Sequence, residues 1–490
     1  MRDYSFGNFI SALRERRGLS QYQLGALVGV SDKAVSKWEN GASKPRTDTM
    51  RKLAKELEIS VDELLTCEYD TFEYERKDLF AMKNNIIKLA EEKMKFLYGD
   101  TLPIRIVNRF KTEKMMLEGH EILLWMGFLG KLREEACANH IYFEVRGAQM
   151  GASLIAWLLG ATNVNPLPAH YYCSQCKKIE FVSDTKCGVD LPDKKCSCGS
   201  DLEKDGFGID VANMYPLSKE CEIRISNNAI EKVKDWMREY FAGYGEVVEL
   251  QSIYEDGAEY QNTEQIRLAK LMLISKEKAK KYPGKVVTLT VEEYVDFRRD
   301  LPILTIIEDS EEKLELSDLQ KLDFTTGLIR EYYGYARDNG KFDDVTGNSD
   351  LNKLLSSMTT PSFSELIAIT GMQYSTGAWE ENAELLFAEG KPLLELIFCR
   401  EDVYDKIFSA LGNCCCDNPM GQAFEIKEQV RKGLYSRRRM PEAVEMLLKE
   451  CNVPDWYIQS MKKLKYLFPK TYLIMLLKRE ICKFAIGKSR

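Results

Sequence analysis

Apolar residues recur every three or four positions from Leu13 to about Leu65, in short runs with polar punctuation. Ser20 stands before "QYQLGALV", and Ser31 stands before "DKAVSKWEN", which stops at Gly41. A serine ahead of such a run is a helix N-cap, and a glycine behind it is a C-cap. The spacing of Leu24, Leu27, Val30, Val35 and Trp38 puts them on inner faces. Gly29, between the runs, suits a tight turn. The pattern predicts a helix-turn-helix. Residues 69–93 are densely charged and predict a helical linker. The apolar runs "ILLWMGFLG" from Ile122 and "LIAWLLGA" from Leu154 are far too short to cross a bilayer. "ECEIRISNN" from Glu220 is the candidate strand of the body.

Composition narrows the picture. A chain of 490 residues holds about two to four domains. The net charge of −7 gives the whole chain no nucleic-acid signature, so any such signature is local. Residues 1–55 supply one, with eleven Lys/Arg against five Asp/Glu. Residues 462–490 supply another, with nine basic residues against one acidic. "GLYSRRRMPE" from Gly433 lies near it, and Tyr435, Tyr466 and Phe468 are interleaved, a composition that grips a nucleic-acid backbone. The opening residues are too charged for a secretory signal, and the expected location is the cytoplasm, away from membranes. Fourteen cysteines are then reduced thiols rather than a disulfide framework. The triplet Cys414, Cys415 and Cys416 has no physical account. With three histidines, His120, His140 and His170, histidine-based catalysis is thinly supplied.

Cys173 and Cys176 form a C-x₂-C; Cys196 and Cys198 form a C-x-C. Each knuckle is followed closely by a turn-forming Lys or Gly. Two knuckles from distant segments suit a tetrahedral thiolate site, and four sulfurs leave no open position, so one structural Zn²⁺ per chain is expected. The second knuckle is one residue short, which leaves Cys187, or a spare His170, as an alternative ligand.

The first 65 residues resemble the Cro/C1 (Xre) repressor family through "LSQ", "GVS" and "WENG". By that resemblance Asp32 to Asn40 is a recognition helix in the major groove. Gln21 meets a phosphate; Ser31, Asp32, Lys33, Ser36, Lys37 and Asn40 supply the remaining DNA contacts, with Lys33 and Lys37 reaching base edges or phosphates. Duplex DNA is the implied partner and a homodimer the implied state.

The body resembles PolC-type DNA polymerase III. The resemblance rests on "NVNPLPAHYYCSQCKKIEF" with "VDLPDKKCSCGSDLEKDG", on "PSFSELIAITGMQYSTGAW" and on "VPDWYIQSMKKLKYLFPK". It implies an α+β multidomain chain. An all-α helix-turn-helix at 1–68 is followed by the linker at 69–93. A C-family polymerase-like palm at 94–350, a mixed sheet with helices, carries a zinc-ribbon insertion at about 165–206. A helical fingers-like region with a basic C-terminus occupies 351–490. The phosphoesterase and proofreading parts of that family have no visible counterpart.

A polymerase of this kind holds two Mg²⁺ ions on three carboxylates. Carried over, the first falls on Glu222, the second on Arg224 and the third on Ser317, with Asp318 or Asp323 as neighbours. An arginine cannot ligate Mg²⁺, and an ion pair between Arg224 and Glu222 is expected to close the site. The triphosphate loop is altered to "VRGAQMGAS", keeping Arg146, Gly147, Gly151 and Ser153. Lys470 of "FPKTYLIMLLKRE" survives among large apolar residues. No catalytic residue and no catalytic Mg²⁺ are expected. The expectation is a sequence-specific regulator with an inactive polymerase-like body that binds nucleic acid or a replication protein. A decoy of the host polymerase is the alternative, and an active DNA polymerase the third reading. A mobile-element setting suits the first two.

Overall fold

Ser20 and Ser31 cap two short helices, α1 (Gln21–Val28) and α2 (Asp32–Glu39). The computed structural model describes residues 19–57, 72–252, 266–274, 286–289, 302–309, 314–341 and 358–489, apart from 216, 227, 323, 359 and 415–417. It also describes single positions within 6–14 and at 64, 351 and 354. The Ser20 hydroxyl accepts from the Gln23 amide at 3.2 Å, and Gln23 Oε1 accepts from the Ser20 amide at 2.8 Å, a reciprocal capping box. Gly29 turns the chain at φ 79°. A third helix, α3 (Thr47–Glu56), closes a core of Leu24, Val28, Val35, Trp38, Met50 and Leu53. Leu27 corrects the expected inner face, since it is 52% exposed. Leu24 and Val28, four residues apart, occupy the inward stripe of a two-turn helix, and Leu27 stands about 100° from Val28.

The chain divides into two compact units, Met1–Phe80 and Ala81–Arg490. The next helix, α4, spans Phe72–Tyr98. In the second unit Met82, Ile86, Ile87, Ala90, Met94 and Tyr98 are buried. The linker expected over 69–93 is therefore corrected in its second half. Apolar residues at helical spacing make that part a core element, not a spacer.

Strands of the second unit run β1 (Phe143–Arg146), β2 (His170–Tyr172), β3 (Ile179–Phe181), β4 (Glu203–Asp205), β5 (Glu220–Ser226), β6 (Glu246–Ser252), β7 (Ile266–Ile274), β8 (Val286–Leu289) and β9 (Ile303–Asp309). They form a mixed six-stranded sheet in the order β1-β5-β9-β7-β6-β8 and a small sheet in the order β3-β2-β4. β5 runs parallel to β9 and antiparallel to β1. Its side chains alternate: Cys221, Ile223 and Ile225 are buried, while Glu220, Glu222 and Arg224 are only half-buried. Period-two alternation of this kind puts the two sets on opposite faces.

The palm-like part also carries α5 (Ile104–Leu117), α6 (Ile122–Ala138), α7 (Leu154–Leu159) and α8 (Ile230–Phe241). The apolar run at Ile122 is buried in α6, where Trp125 meets Phe241 of α8 edge to face and Phe128 packs on the same ring at a tilt. A Cβ on Gly130 would stand 2.5 Å from the Leu159 carbonyl oxygen, so α6 and α7 pack backbone to backbone there. Among the described residues no helix is long and apolar enough to cross a membrane.

The C-terminal part is helical. α9 (Thr326–Asp338), α10 (Phe363–Tyr374), α11 (Arg400–Asn413), α12 (Pro419–Arg431), α13 (Asp455–Lys463) and α14 (Lys470–Ser489) are its main elements. Asp190, from the "DLPDK" stretch, caps α10: its carboxylate accepts from the Phe363 amide at 2.6 Å, the Ser364 amide at 3.0 Å and the Ser364 hydroxyl at 2.5 Å. Two stretches far apart in sequence, "DLPDK" and "FSELI", thus meet in one capping contact.

Candidate DNA interface, metal centre and palm face

α2 turns Val35 and Trp38 into the core. Its other side presents Asp32, Lys33, Lys37 and Asn40 to solvent, with Ser31 exposed at its start and Ser36 half-buried. Ser36 Oγ accepts from Asn40 Nδ2 at 3.3 Å, and Asp32 Oδ1 accepts from the Lys33 amide at 2.8 Å. Lys33 and Lys37, one turn apart, stand on this face as exposed cations. Gln21, the expected phosphate contact, lies at the start of α1. Its amide donates to Glu39 Oε2 at 2.7 Å, and Glu39 is held in turn by Arg14 Nε at 2.6 Å. The side chain is half-buried in a network that joins α1 to α2.

The small sheet ends in the two cysteine knuckles. Lys177 turns at φ 58° and Gly199 at φ 92°, the turn positions expected after each knuckle. The Lys177 amide donates to the Cys173 carbonyl at 2.8 Å, and the Gly199 amide to the Cys196 carbonyl at 2.9 Å. The four sulfurs of Cys173, Cys176, Cys196 and Cys198 all lie within 4.8 Å of one another. Cys173 and Cys198 stand 3.7 Å apart, and Cys176 and Cys196 3.9 Å. A tetrahedral ion with sulfur bonds of about 2.3 Å sets its ligands about 3.8 Å apart. The donor set therefore fits Zn²⁺, shortened knuckle included. Cys187 is not among the four; it is buried, and burial pushes its thiol up to about 12. His170 is buried as well, with Nδ1 at 2.7 Å from the Pro168 carbonyl, and burial lowers its pKa.

The half-buried face of the large sheet carries the altered acid positions. Glu222 pairs with Arg146 at 3.3 Å. Arg224 pairs with Asp309, at the end of the neighbouring parallel strand β9. The ion pair expected between Arg224 and Glu222 is thereby corrected. Glu222 is taken by the strand on one side, β1, and Arg224 by the strand on the other. Ser317 is corrected too. It lies on the short helix Leu316–Lys321, beyond β9, with its hydroxyl 3.4 Å from Glu315. The acid facing Arg224 is Asp309, which sequence reasoning missed because it depends on strand register. Asp323, Cys415 and Cys416 lie outside the described residues. On β1 a third acid, Glu144, pairs with Arg479 of α14 at 2.7 Å, both buried.

The second half of the altered loop is built into the core. Gly147 is exposed at φ 132°. Gly151 lies against α14, where a Cβ would stand 2.6 Å from Thr471 Cβ. Ser153 is fully buried and caps α7, its hydroxyl donating to Glu113 Oε2 at 2.8 Å. Glu113 Oε1 also accepts from the Leu154 amide at 2.8 Å, and Oε2 from the Ile155 amide at 3.0 Å. A carboxylate of the protein thus already occupies the start of α7. Glu113 was missed as well; its signal is an acid on the apolar stripe of Ile106, Phe110 and Leu117. Lys470 is half-buried, and its ammonium donates to the Phe207 carbonyl at 2.7 Å. Farther along α14, Tyr472, Met475 and Leu476 face Glu144, Val145 and Arg146 across a gap with no room for a water molecule.

Comparison with known proteins agrees with both halves. The family description Helix-turn-helix matches residues 10–64. The PolC-type DNA polymerase III of Thermotoga maritima is 26% identical over 460 residues, covering 80% of this chain and 33% of its own length. That of Staphylococcus saprophyticus is 28% identical over 466 residues, covering 79% and 31%. That of Streptococcus thermophilus is 25% identical over 498 residues, covering 86% and 33%. Among solved structures, Bacillus thuringiensis PlcR in complex with the peptide PapR7 and DNA matches 26% of this chain and 42% of its own, at 24% identity and a TM-score of 0.13. The chain spans about a third of the length of the curated relatives it matches. It carries a Cro/C1-type helix-turn-helix at residues 10–64 and is homologous to PolC-type DNA polymerase III over about 80% of its length.

Proposed function

We propose that this chain is a sequence-specific DNA-binding regulator, acting as a homodimer, whose polymerase-like body binds nucleic acid or a protein partner and performs no phosphoryl transfer. One observation carries the reading of the body. Three carboxylates on the half-buried sheet face, Glu144, Glu222 and Asp309, are each held by a guanidinium, from Arg479, Arg146 and Arg224. Two-metal transfer needs acids free to fix two cations a few ångströms apart. Guanidinium groups stay charged at any working pH and repel such cations. The body also holds one structural Zn²⁺ on Cys173, Cys176, Cys196 and Cys198, with no open position for chemistry.

Primer extension with Mg²⁺ or Mn²⁺ and all four deoxynucleotides is expected to give no product above background. Template-dependent extension that Glu222→Ala abolishes would refute the reading. Restoring an acid with Arg224→Asp is not expected to create activity, because Glu222 stays paired to Arg146 and α14 stays packed on the loop.

Lys37→Ala is expected to weaken binding to the selected operator by about 1–3 kcal/mol, as for one base-reading contact. Gel-shift titration with the full chain measures it. Unchanged affinity in Lys33→Ala/Lys37→Ala would remove both residues from the interface. Retention of a polymerase-like body over about 80% of the chain favours a second reading, a decoy that competes with the host polymerase. A decoy slows replication even with the headpiece deleted; a regulator does not.

A further inference from the structure

The chain is acidic overall, yet residues 431–439 and 462–465 together carry eight cations and no acid. The fold brings these segments side by side. The Leu467 amide donates to the Arg431 carbonyl at 3.2 Å. Gly433, at φ 63°, presses so close to the second segment that a Cβ would stand 2.1 Å from the Lys465 carbonyl oxygen. Three of the eight cations have acid partners: Arg431 and Lys432 on Glu428, and Lys462 on Glu445. The other five, Arg437, Arg438, Arg439, Lys463 and Lys465, are exposed and have no carboxylate partner among the described residues. Arg437 donates to the backbone carbonyls of Gly433 and Lys432, and Lys463 to that of Glu381. These bonds position the two side chains and leave their charge uncompensated.

Aromatic rings stand beside this patch. The Thr376 carbonyl accepts from the amides of Lys465 and Tyr466, which seats that segment against the end of α10. Phe468 lies between Tyr466 and Tyr374, with ring centroids 5.0 and 6.2 Å away, and stacks on Tyr472 at 5.2 Å. Tyr374 and Tyr466 remain 41% and 39% exposed. Both rings meet Phe468 edge to face, which fixes them while part of each stays in solvent.

Uncompensated like charges cost free energy, and a polyanion laid across them offsets it. A polyanion alone does not explain rings held open to solvent. Bases stack on such rings at about 1–3 kcal/mol each, and only unpaired bases have free faces. We infer that this surface binds single-stranded nucleic acid, its backbone on Arg437, Arg438, Arg439, Lys463 and Lys465 and its bases on Tyr374 and Tyr466. The inference rests on the proposed reading of the body as a binding scaffold and gives it a place and a ligand class.

Fluorescence anisotropy of the full chain with a labelled oligo-dT, in a salt series, tests it. Wild type is expected to bind, with affinity falling as salt rises. Arg437→Gln/Arg438→Gln/Arg439→Gln lowers affinity at least about tenfold and flattens the log–log salt slope by about 2, near 0.7 per lost phosphate contact. Tyr466→Ala lowers affinity about thirtyfold, the middle of the stacking range. Tyr466→Phe, which keeps the ring, retains binding, and unchanged thermal melting shows that the variants are folded. Lys33→Ala/Lys37→Ala leaves oligo-dT binding intact. Oligo-dT binding that none of the body variants weakens overturns the site and spares the scaffold reading. Absence of oligo-dT binding at low salt overturns both the site and the nucleic-acid half of that reading. Equal affinity for a blunt duplex lacking the operator overturns the single-strand preference.

Discussion

Purified protein is expected to contain about one zinc per chain, and Cys173→Ser is expected to lose both the metal and the fold around it. Metal binding and folding are one event in a small thiolate module, with on the order of 10 kcal/mol at stake. The module cannot stand without it. Its three strands are three residues each, and its own buried cluster is Ala169, Tyr171 and Leu191. A core that small is marginal. The damage should spread, because the module is tied into the body. Tyr172 donates its hydroxyl to the Leu97 carbonyl at 2.7 Å, and Asp190 caps α10. Metal analysis and thermal melting with and without a chelator read both effects. A stable protein without metal would sink the assignment. Cys187→Ser should keep the zinc, since that thiol lies outside the four-sulfur cluster. If Cys187→Ser strips the metal and Cys198→Ser does not, the fourth ligand is wrong.

The parts legible in the sequence are those whose geometry is local. Ser20, Ser31 and Gly29 act within four residues of their partners, so spacing alone locates α1, α2 and the turn between them. The knuckles are local as well: Lys177 and Gly199 sit where each turn requires them, and the two turns bring four sulfurs within 4.8 Å of one another. Contacts across the sheet were not legible. Arg224 lies two residues from Glu222 on the same face, which makes that pair the natural guess. Register decides otherwise. β1 brings Arg146 to Glu222, and β9 brings Asp309 within reach of Arg224, 85 residues away in sequence. Gln21 reads as a phosphate contact at a helix start, and its bond to Glu39, 18 residues away, is not legible there. The basic tail reads as a nucleic-acid grip, yet Arg479 is buried on Glu144, and Lys478 is half-buried with its ammonium donating to the Asn163 carbonyl at 3.0 Å. Burial lowers the Lys478 pKa. Lys463 and Lys465 remain exposed, as do Lys483 and Lys488, which lie beside Glu480 and Glu331.

Glu113→Ala is expected to destabilise the second unit by about 3–5 kcal/mol, the range for breaking a buried ion pair from one side. Glu113 is fully buried on α5, and Arg109 Nε meets it at 2.5 Å. Three further donors depend on it: the Ser153 hydroxyl and the amides of Leu154 and Ile155. Alanine leaves a mostly buried guanidinium without its carboxylate and the start of α7 without its acceptor. Arg109 keeps its bonds to the carbonyls of Ile209 and Ala152, which holds the side chain in place and so keeps its charge inside. Glu113→Gln should lie between the two, since its carbonyl oxygen still accepts from an amide but carries no charge to match Arg109. Urea denaturation measures the series, and a loss below about 1 kcal/mol for alanine would refute the account. The same contact bears on function. In the resemblance to PolC, the loop before α7 opens its backbone to a triphosphate. Here the amides that begin α7 already bind a carboxylate of the protein, and a second anion at that end would meet its charge. Stability and the proposed loss of triphosphate binding are then two consequences of one buried acid, and they separate in the variants. Glu113→Ala weakens the fold, yet primer extension should stay at background, because Glu222, Arg224 and Asp309 are untouched.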